Sequence, residues 1–223
     1  MASSSENLQS KRAYDNIRKD ILISNLKPGY KLKVKNLSEK YGIGVIPIRE
    51  ALSSLESEGM VRHVGQSGFH VSTLSRSEFV ELMKTRTLLE NTALKLSIDN
   101  YSYDWEERLV IAFHRISRTD RNIIDNGQKF LNPEWLDVHR EFHLTLINNS
   151  GLEWLTKFCK EMLDHGSKYV AYLHNINLDD KRKTATEHKK IYDAVLSRNV
   201  VLAQELLGSH YEFSSASVVE YLS

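Results

Sequence analysis

The sequence has few of the residues that interrupt helices or cross-link chains: one cysteine, three prolines and ten glycines among 223 residues. A single cysteine excludes an intrachain disulfide and fits a reducing compartment. The scarcity of proline and glycine favours helices joined by short connections. No apolar run approaches the ~18 residues that a membrane helix needs, and the first residues lack the basic-then-apolar order of a signal peptide. We therefore expect a cytoplasmic, mainly helical protein with no membrane partner.

Net charge is also nearly absent, but its distribution along the chain is uneven. The 30 Lys and Arg residues almost balance the 29 Asp and Glu residues. Residues 1–75 contain 11 basic and 7 acidic residues, whereas the remainder contains 19 and 22. A basic small module attached to a larger acidic one suggests that only the first part meets a polyanion. Random scatter of surface charge is the alternative explanation.

The first third of the chain has the element order of a winged helix-turn-helix. Apolar residues at helical spacing predict a helix over about 8–24, which ends at the Pro28-Gly29 turn. The pattern then predicts two short helices, at about 34–41 and 47–59. A hairpin follows, with strands at about 60–64 and 69–73. In this motif the second helix of the turn pair lies in the major groove of DNA.

After residue 75 the pattern is helical. The sequence Ser75-Arg-Ser-Glu78 is a capping-box signature that opens a helix over about 76–98. Five more helices are predicted at about 104–125, 133–149, 152–174, 179–198 and 200–221. The predicted fold is therefore mainly α, with an N-terminal winged helix-turn-helix over 1–75 and a C-terminal six-helix antiparallel bundle over 76–223.

Four of the nine histidines lie on apolar helix faces. His139 and His143 are four residues apart and share one face, while His188 and His210 lie on the apolar stripes of two other predicted helices. A lone histidine on such a face is more often a hydrogen-bonded core residue than a ligand. Burying four imidazoles is costly unless each finds a partner, and one metal ion would serve them all.

Both parts resemble a known family. The segment LSEKYGIGVIPIREALSSLESEGMVRHVGQSGFHV (37–71) resembles the DNA-binding signature of the GntR family of bacterial transcription regulators. The helical remainder resembles the FCD ligand-binding domain of its FadR-like branch. The motifs HREFH (139–143), EHKKIYDAVLSRN (187–199) and ELLGSHY (205–211) are similar to the three metal motifs of that domain.

The resemblance implies which residues contact DNA. They are Lys35, the start of the recognition helix with Ile46, Pro47 and Arg49, and the wing tip with Gln66, Ser67 and Gly68. Arg49 is the residue expected to read a base, because a guanidinium can make two hydrogen bonds to a guanine edge. Its alternative role is a surface salt bridge to Glu39 or Glu56. Val45 stands where many members carry Arg, so the usual operator consensus does not transfer directly.

The resemblance also implies a metal and an effector site. His143, His188 and His210 match metal ligands, and His139 stands where the family usually has Asp or Asn. Either all four imidazoles bind, which suits zinc or nickel, or His139 is a pocket residue. Arg86 is similar to a first-helix Arg that can clamp a carboxylate effector, or else it pairs with Glu90. Lys168, Tyr169 and Tyr172 are placed on the helix expected to cover this cavity.

The sequence therefore predicts a metabolite-responsive transcription regulator, a repressor of a bacterial catabolic operon rather than an enzyme. It would act as a homodimer on palindromic operator DNA, with a small carboxylate or dicarboxylate effector bound at a buried divalent metal, zinc or nickel. HREFHLTLINNSGLEWLTKFC (139–159) resembles the branch whose members respond to short dicarboxylates such as glutarate. The alternatives are a metal-dependent enzyme built on the bundle, and a DNA-binding protein whose metal is purely structural.

Overall fold

The computed structural model describes residues 2–22, 25–125, 127–175 and 184–221. The chain forms two compact units, 1–74 and 75–223, whose boundary lies one residue from the predicted one. Both units are mainly helical. In the described part of the chain, no helix is both long enough and apolar enough to cross a bilayer.

The first unit is a winged helix-turn-helix. Its helices and strands are α1 (Ala2–Leu22), β1 (Lys31–Leu32), α2 (Val34–Tyr41), α3 (Val45–Ser57), β2 (Val61–Val64) and β3 (Gly68–Val71). The strands form one antiparallel sheet in the order β1-β3-β2. The sequence did not predict β1, because two residues are too few to show an alternating pattern.

The buried face of α3 explains one wrong prediction. This helix begins at Val45, two residues earlier than expected, and buries an inward stripe of Pro47, Ile48, Ala51, Leu52 and Leu55. Pro47 thus lies on the buried face of α3. The predicted contact of Pro47 with DNA is wrong, since a buried side chain cannot reach a groove.

The second unit is a bundle of six described helices with one hairpin. Its elements are α4 (Arg76–Asp99), α5 (Tyr103–Arg118), β4 (Asn122–Asp125), β5 (Gln128–Leu131), α6 (Pro133–Ile147), α7 (Glu153–Asn175), α8 (Thr184–Leu196) and α9 (Val200–Tyr221). The Ser75 side chain accepts a hydrogen bond from the Glu78 amide, as the capping box predicts. The first residues of the helix predicted over 179–198 lie outside the described residues.

The hairpin β4–β5 replaces the end of a predicted helix. The helix expected over 104–125 ends at Arg118, because Thr119 adopts an extended conformation. The following Ile123 and Ile124 are β-branched, and Gly127 has φ 77°, which few other residues adopt in a turn. Asn132 then donates to the Asp120 carbonyl and caps α6 by accepting from the Glu134 amide. The hairpin therefore spans the connection between α5 and α6.

Candidate nucleic-acid interface and candidate metal centre

The start of α3 presents an exposed arginine between apolar side chains. Val45 and Ile46 are 47% and 69% exposed, and Arg49 lies one turn further on the surface. Glu39 is 4.0 Å from Lys35, and Glu56 accepts from the His63 amide at 3.1 Å. Among the described residues no ion pair or hydrogen bond of the Arg49 side chain is found. The alternative salt bridges of Arg49 are thus not formed.

The wing brings its predicted residues to the end of the hairpin. A short 3-10 turn, Gly65–Ser67, joins the strands and exposes Gln66 and Ser67. Gly68 has φ 81° and ψ −155°, a conformation that side chains with a Cβ rarely adopt. Lys35, Ile46, Arg49, Gln66 and Ser67 are all exposed in this unit. They form what we call the basic reading surface.

The four predicted histidines converge in the second unit. His139 and His143 come from α6, His188 from α8 and His210 from α9. One nitrogen from each ring lies within 4.8 Å of the others. His143, His188 and His210 are at most 3% exposed, and the His139 ring stacks on Trp135 with centroids 4.6 Å apart. These four residues are the histidine cluster.

Burial favours the neutral form of the two histidines of α6. It lowers the pKa of His139 and of His143 well below the usual value, and the neighbouring histidines lower both further. The positive charges of Arg121 and Arg86 act in the same direction. A neutral imidazole has a free lone pair, which is the form that binds a metal ion.

A chain of buried hydrogen bonds orients His143. The Tyr211 hydroxyl donates to the Glu90 carboxylate and lies 3.2 Å from His143 Nδ1. Burial, and then the charge of Glu90, raise the pKa of Tyr211 well above its usual value, so the hydroxyl keeps its proton. Since that proton goes to Glu90, His143 Nδ1–H must donate to the Tyr211 oxygen. The lone pair of His143 is therefore on Nε2, facing away from Tyr211.

Glu187 orients the ring of His210 through a hydrogen bond. Its Oε2 accepts a hydrogen bond from His210 Nδ1 at 2.7 Å, so the lone pair that a neutral His210 ring offers to a metal lies on Nε2. The sequence pattern did not identify Glu187, because a residue next to His188 on a helix points in a different direction from it. It also missed Tyr211, although that residue directly follows His210. The signal for both was their nearness in sequence to a ligand, which is weak because adjacent helical residues differ by about 100° in direction.

The cluster fits a divalent transition metal. His143 Nε2 is buried and has no hydrogen-bond partner among the described residues. A buried polar atom left in this state costs free energy, which coordination would remove. Imidazole donors favour zinc, nickel or copper over calcium and magnesium. The donor set, the lowered pKa values of His139 and His143, and the outer hydrogen bonds all suit such an ion.

The residues predicted for effector binding lie in different surroundings. Arg86 is buried and its Nε donates to Glu90 Oε1 at 2.8 Å, the alternative pairing considered from sequence. Its guanidinium carbon also lies 4.5 Å from the centre of the Tyr211 ring. Tyr169 is buried against Phe79, and its hydroxyl donates to the Ser75 carbonyl at 3.2 Å, so it joins α7 to the start of α4. The side chains of Lys168 and Tyr172 lie outside the described residues.

Comparisons with known proteins agree on one family. The model of the FCD domain matches residues 81–213, and that of the bacterial regulatory proteins of the gntR family matches residues 9–71. The HTH-type transcriptional regulator BphR of Paraburkholderia xenovorans (strain LB400) is 32% identical over 208 residues, covering 92% of this chain and 83% of that protein. The HTH-type transcriptional repressor GlaR of Escherichia coli (strain K12) is 29% identical over 200 residues, covering 87% and 88%.

Solved structures show the same fold. McbR/YncC of E. coli superposes with a TM-score of 0.71 at 20% identity, covering 96% of this chain and 99% of that one. A putative transcriptional regulator GntR from Rhodococcus sp. RHA1 gives 0.72 at 17% identity, covering 95% and 97%. Since the matching family and the named relatives are transcription regulators, this chain is a DNA-binding transcription regulator and not an enzyme. It belongs to the GntR family of bacterial regulatory proteins and carries that family's FCD domain.

Proposed function

We propose that this chain is a metabolite-responsive repressor whose effector, a small carboxylate or dicarboxylate, binds at a divalent metal held by the histidine cluster. Two protomers would present two basic reading surfaces to a palindromic operator. The naming of the relative GlaR as a repressor supports this sign of regulation. Zinc is the expected ion, with nickel as the second choice.

The observation that carries the proposal is the convergence of four imidazoles from three helices at one point. Their donor atoms lie within 4.8 Å of one another, and His143 Nε2 is buried without a hydrogen bond. A structural core would not need four such rings at one place, because apolar side chains fill a bundle at lower cost. A metal ion supplies one positive charge centre, with coordination positions that a carboxylate can fill.

The protein's own residues would then hold the ion and set its geometry. His143 and His210 donate Nδ1–H to Tyr211 and Glu187, so that both Nε2 atoms would be available to hold the ion. Regulation requires that the effector bind one state of the protein more tightly than another. A carboxylate at the ion would do this if the DNA-binding and DNA-free states differ around the cluster.

The experiment begins with operator selection from a random duplex pool, followed by anisotropy titrations of the selected DNA. We expect a palindromic site, affinity that falls with salt, and weaker binding when a short-chain dicarboxylate is added to the zinc-loaded protein. The matched control is His114→Ala, which changes an exposed histidine of α5 outside the cluster, beside His188→Ala within it. His188→Ala should lose the effector response and His114→Ala should keep it.

Two results would overturn parts of the proposal. A selected DNA site without two half-sites would contradict the proposal that two protomers bind one palindromic operator. If zinc binds but no carboxylate changes the DNA affinity of the zinc-loaded protein, the effector proposal fails and the metal is structural.

A further inference from the structure

The three-stranded sheet of the first unit carries a row of basic side chains that the predicted DNA contacts do not include. Lys31 of β1 lies opposite His70 of β3, and His70 lies opposite Arg62 of β2. Residues that are directly paired in an antiparallel sheet project from the same face, so these three side chains form one row. Since neighbouring strands are about 4.8 Å apart, the row is about 10 Å wide.

Burial shows that the row lies on the outer face of the sheet. The residues that alternate with it along the strands are at most 2% exposed, namely Leu32, Val61 and Val71. Lys31 and Arg62 are exposed. Lys33 continues β1 in an extended conformation and is also exposed, so the alternation of the strand places it on the face of Lys31. We call the following residues the basic sheet face: Lys31, Lys33, Arg62 and His70.

No acidic side chain is paired with the cations of this face. The carboxylates among the described side chains of residues 7–22 and 25–74 are Asp15, Asp20, Glu39, Glu50, Glu56 and Glu58. Each has an ion pair or hydrogen bond with α1, with α2 or with the His63 amide. Among the described residues, no ion pair or hydrogen bond of the Lys31, Lys33 or Arg62 side chain is found. Their mutual repulsion therefore decreases when an external anion covers them.

The basic sheet face continues directly from the tip of the wing. His70 Nδ1 lies 3.1 Å from the Gly68 carbonyl oxygen, which can only accept, so Nδ1 carries the proton and donates it. The other ring nitrogen, Nε2, lies 3.4 Å from the Ser67 hydroxyl at the tip. A tip that enters the minor groove, about 6 Å wide, has one phosphate strand on each side. One of these strands then passes the outer face of the hairpin.

We infer that the basic sheet face binds the phosphate backbone of the operator beside the wing, as a DNA contact separate from the basic reading surface. Lys31 and Arg62 make this contact, and Lys33 extends it toward Lys35 at the start of α2. The backbone has the same charge in every sequence, so the contact adds affinity and fixes the position of the wing without reading bases. The inference requires DNA binding, but neither the metal nor the effector of the proposed function.

The salt dependence of operator binding measures the number of phosphate contacts. In anisotropy titrations of the selected duplex, each contact removed should reduce the salt slope by about 0.9, so the loss of affinity between 0.05 and 0.2 M salt becomes about 3.5-fold smaller. Arg62→Gln and Lys31→Gln should each show this change, equally for all single-base variants of the duplex. Arg12→Gln and Lys19→Gln are the matched controls, which change exposed residues of α1 and should keep the original slope.

Methylphosphonate substitution identifies the contacted phosphate. Duplexes in which one phosphate beside the wing is replaced by a neutral methylphosphonate should bind the unaltered chain more weakly. In Arg62→Gln the same replacement should have no further effect, because both changes remove one contact. If melts followed by circular dichroism show that Arg62→Gln is unfolded, Lys31→Gln on the neighbouring edge of the sheet provides the same measurement.

Two results would overturn the inference. One is a salt slope of Arg62→Gln and Lys31→Gln equal to that of the two α1 controls. The other is a reduced slope without coupling to any single phosphate, since the cations would then act only through the general field of the protein. The effector response of the zinc-loaded chain is not part of these measurements, so this inference and the proposed function can fail independently.

Discussion

At the scale of single residues, the DNA-binding unit depends on the exposed guanidinium of Arg49. It extends from the first turns of α3, and no acidic side chain among the described residues pairs with it. An arginine held by Glu39 or Glu56 would have to break that pair before reading a base. The free guanidinium needs no such step, so its full hydrogen-bonding capacity is available to DNA.

Arg49→Ala should weaken binding to the selected operator by about 1–3 kcal/mol and relax base preference at one position of each half-site. The measurement is anisotropy with the selected duplex and its single-base variants. Arg12→Ala, an exposed arginine of α1, is the charge-matched control. Equal losses in the two variants would show that Arg49 acts only through its charge.

The hydroxyl of Tyr211 is the other residue whose role can be isolated. Tyr211→Phe removes the acceptor of His143 Nδ1–H and leaves the ring in place, so His143 is free to take the wrong tautomer. Zinc affinity should fall about tenfold or more, as for other outer hydrogen-bond partners of metal ligands. A competition titration with a chromophoric chelator measures it.

Tyr169→Phe provides the control, because that buried hydroxyl binds the Ser75 carbonyl and not the cluster. It should change thermal stability but not zinc affinity. If both variants lower zinc affinity equally, the effect comes from general loosening of the bundle and the orienting role of Tyr211 is wrong.

At the scale of elements, Asp20 connects the end of α1 to α2 through side-chain hydrogen bonds. Its Oδ2 accepts from Lys40 Nζ at 2.5 Å and from the Tyr41 hydroxyl at 2.6 Å. Burial alone would raise the pKa of Asp20, but these bonds and one from Asn25 outweigh it and lower the pKa below 3.8. A carboxyl group whose pKa is lowered by folding stabilises the fold above its unfolded pKa and loses that contribution as pH falls.

Asp20→Asn should therefore lower the melting temperature at neutral pH, with the gap to the unaltered chain closing as pH falls below about 4. Thermal melts followed by circular dichroism from pH 7 to pH 3 measure this gap. Other acidic groups titrate in both proteins and cancel in the difference. If the difference in melting temperature stays constant over this range, the charge of Asp20 does not contribute to the stability of the fold.

Element positions were predictable where periodicity was strong. The bounds of α2 and α9 match the predicted ranges, since both have clear apolar stripes and capping or breaking residues at their ends. The strand β1 was missed because it has only two residues, and β4 and β5 were missed because the helical pattern of α5 was extended to residue 125, over the whole of β4. Short strands depend on pairing with distant partners, which local propensity does not reveal.

For the candidate site, the sequence could predict which helix faces carry the four histidines, but not the contacts between helices. The apolar stripes of α6, α8 and α9 correctly brought His139, His143, His188 and His210 together. Glu187, Tyr211 and Arg121 could not be found in this way, because their contacts cross between elements whose relative rotation the sequence does not specify. Pro47 was assigned to the DNA side from the resemblance, whereas it lies four residues before the buried Ala51 and shares that inward face of α3.

At the scale of the whole molecule, metal should stabilise the second unit. A ligand that binds only the folded state adds free energy in proportion to the logarithm of its concentration over its dissociation constant, about 4 kcal/mol at a thousandfold excess. Scanning calorimetry should show a melting transition that rises with zinc and falls on chelation. His143→Ala should lose this shift, and His114→Ala should retain it.

Trp135 gives the molecule an optical reporter of its own. Its indole stacks on His139 and contacts the guanidinium of Arg121, so it lies directly beside the candidate metal centre. The other two tryptophans, Trp105 and Trp154, lie elsewhere in the bundle and supply a constant emission background. Paramagnetic nickel or copper quenches a nearby indole, whereas diamagnetic zinc does not. The same chain can therefore report which ion it holds without any added label.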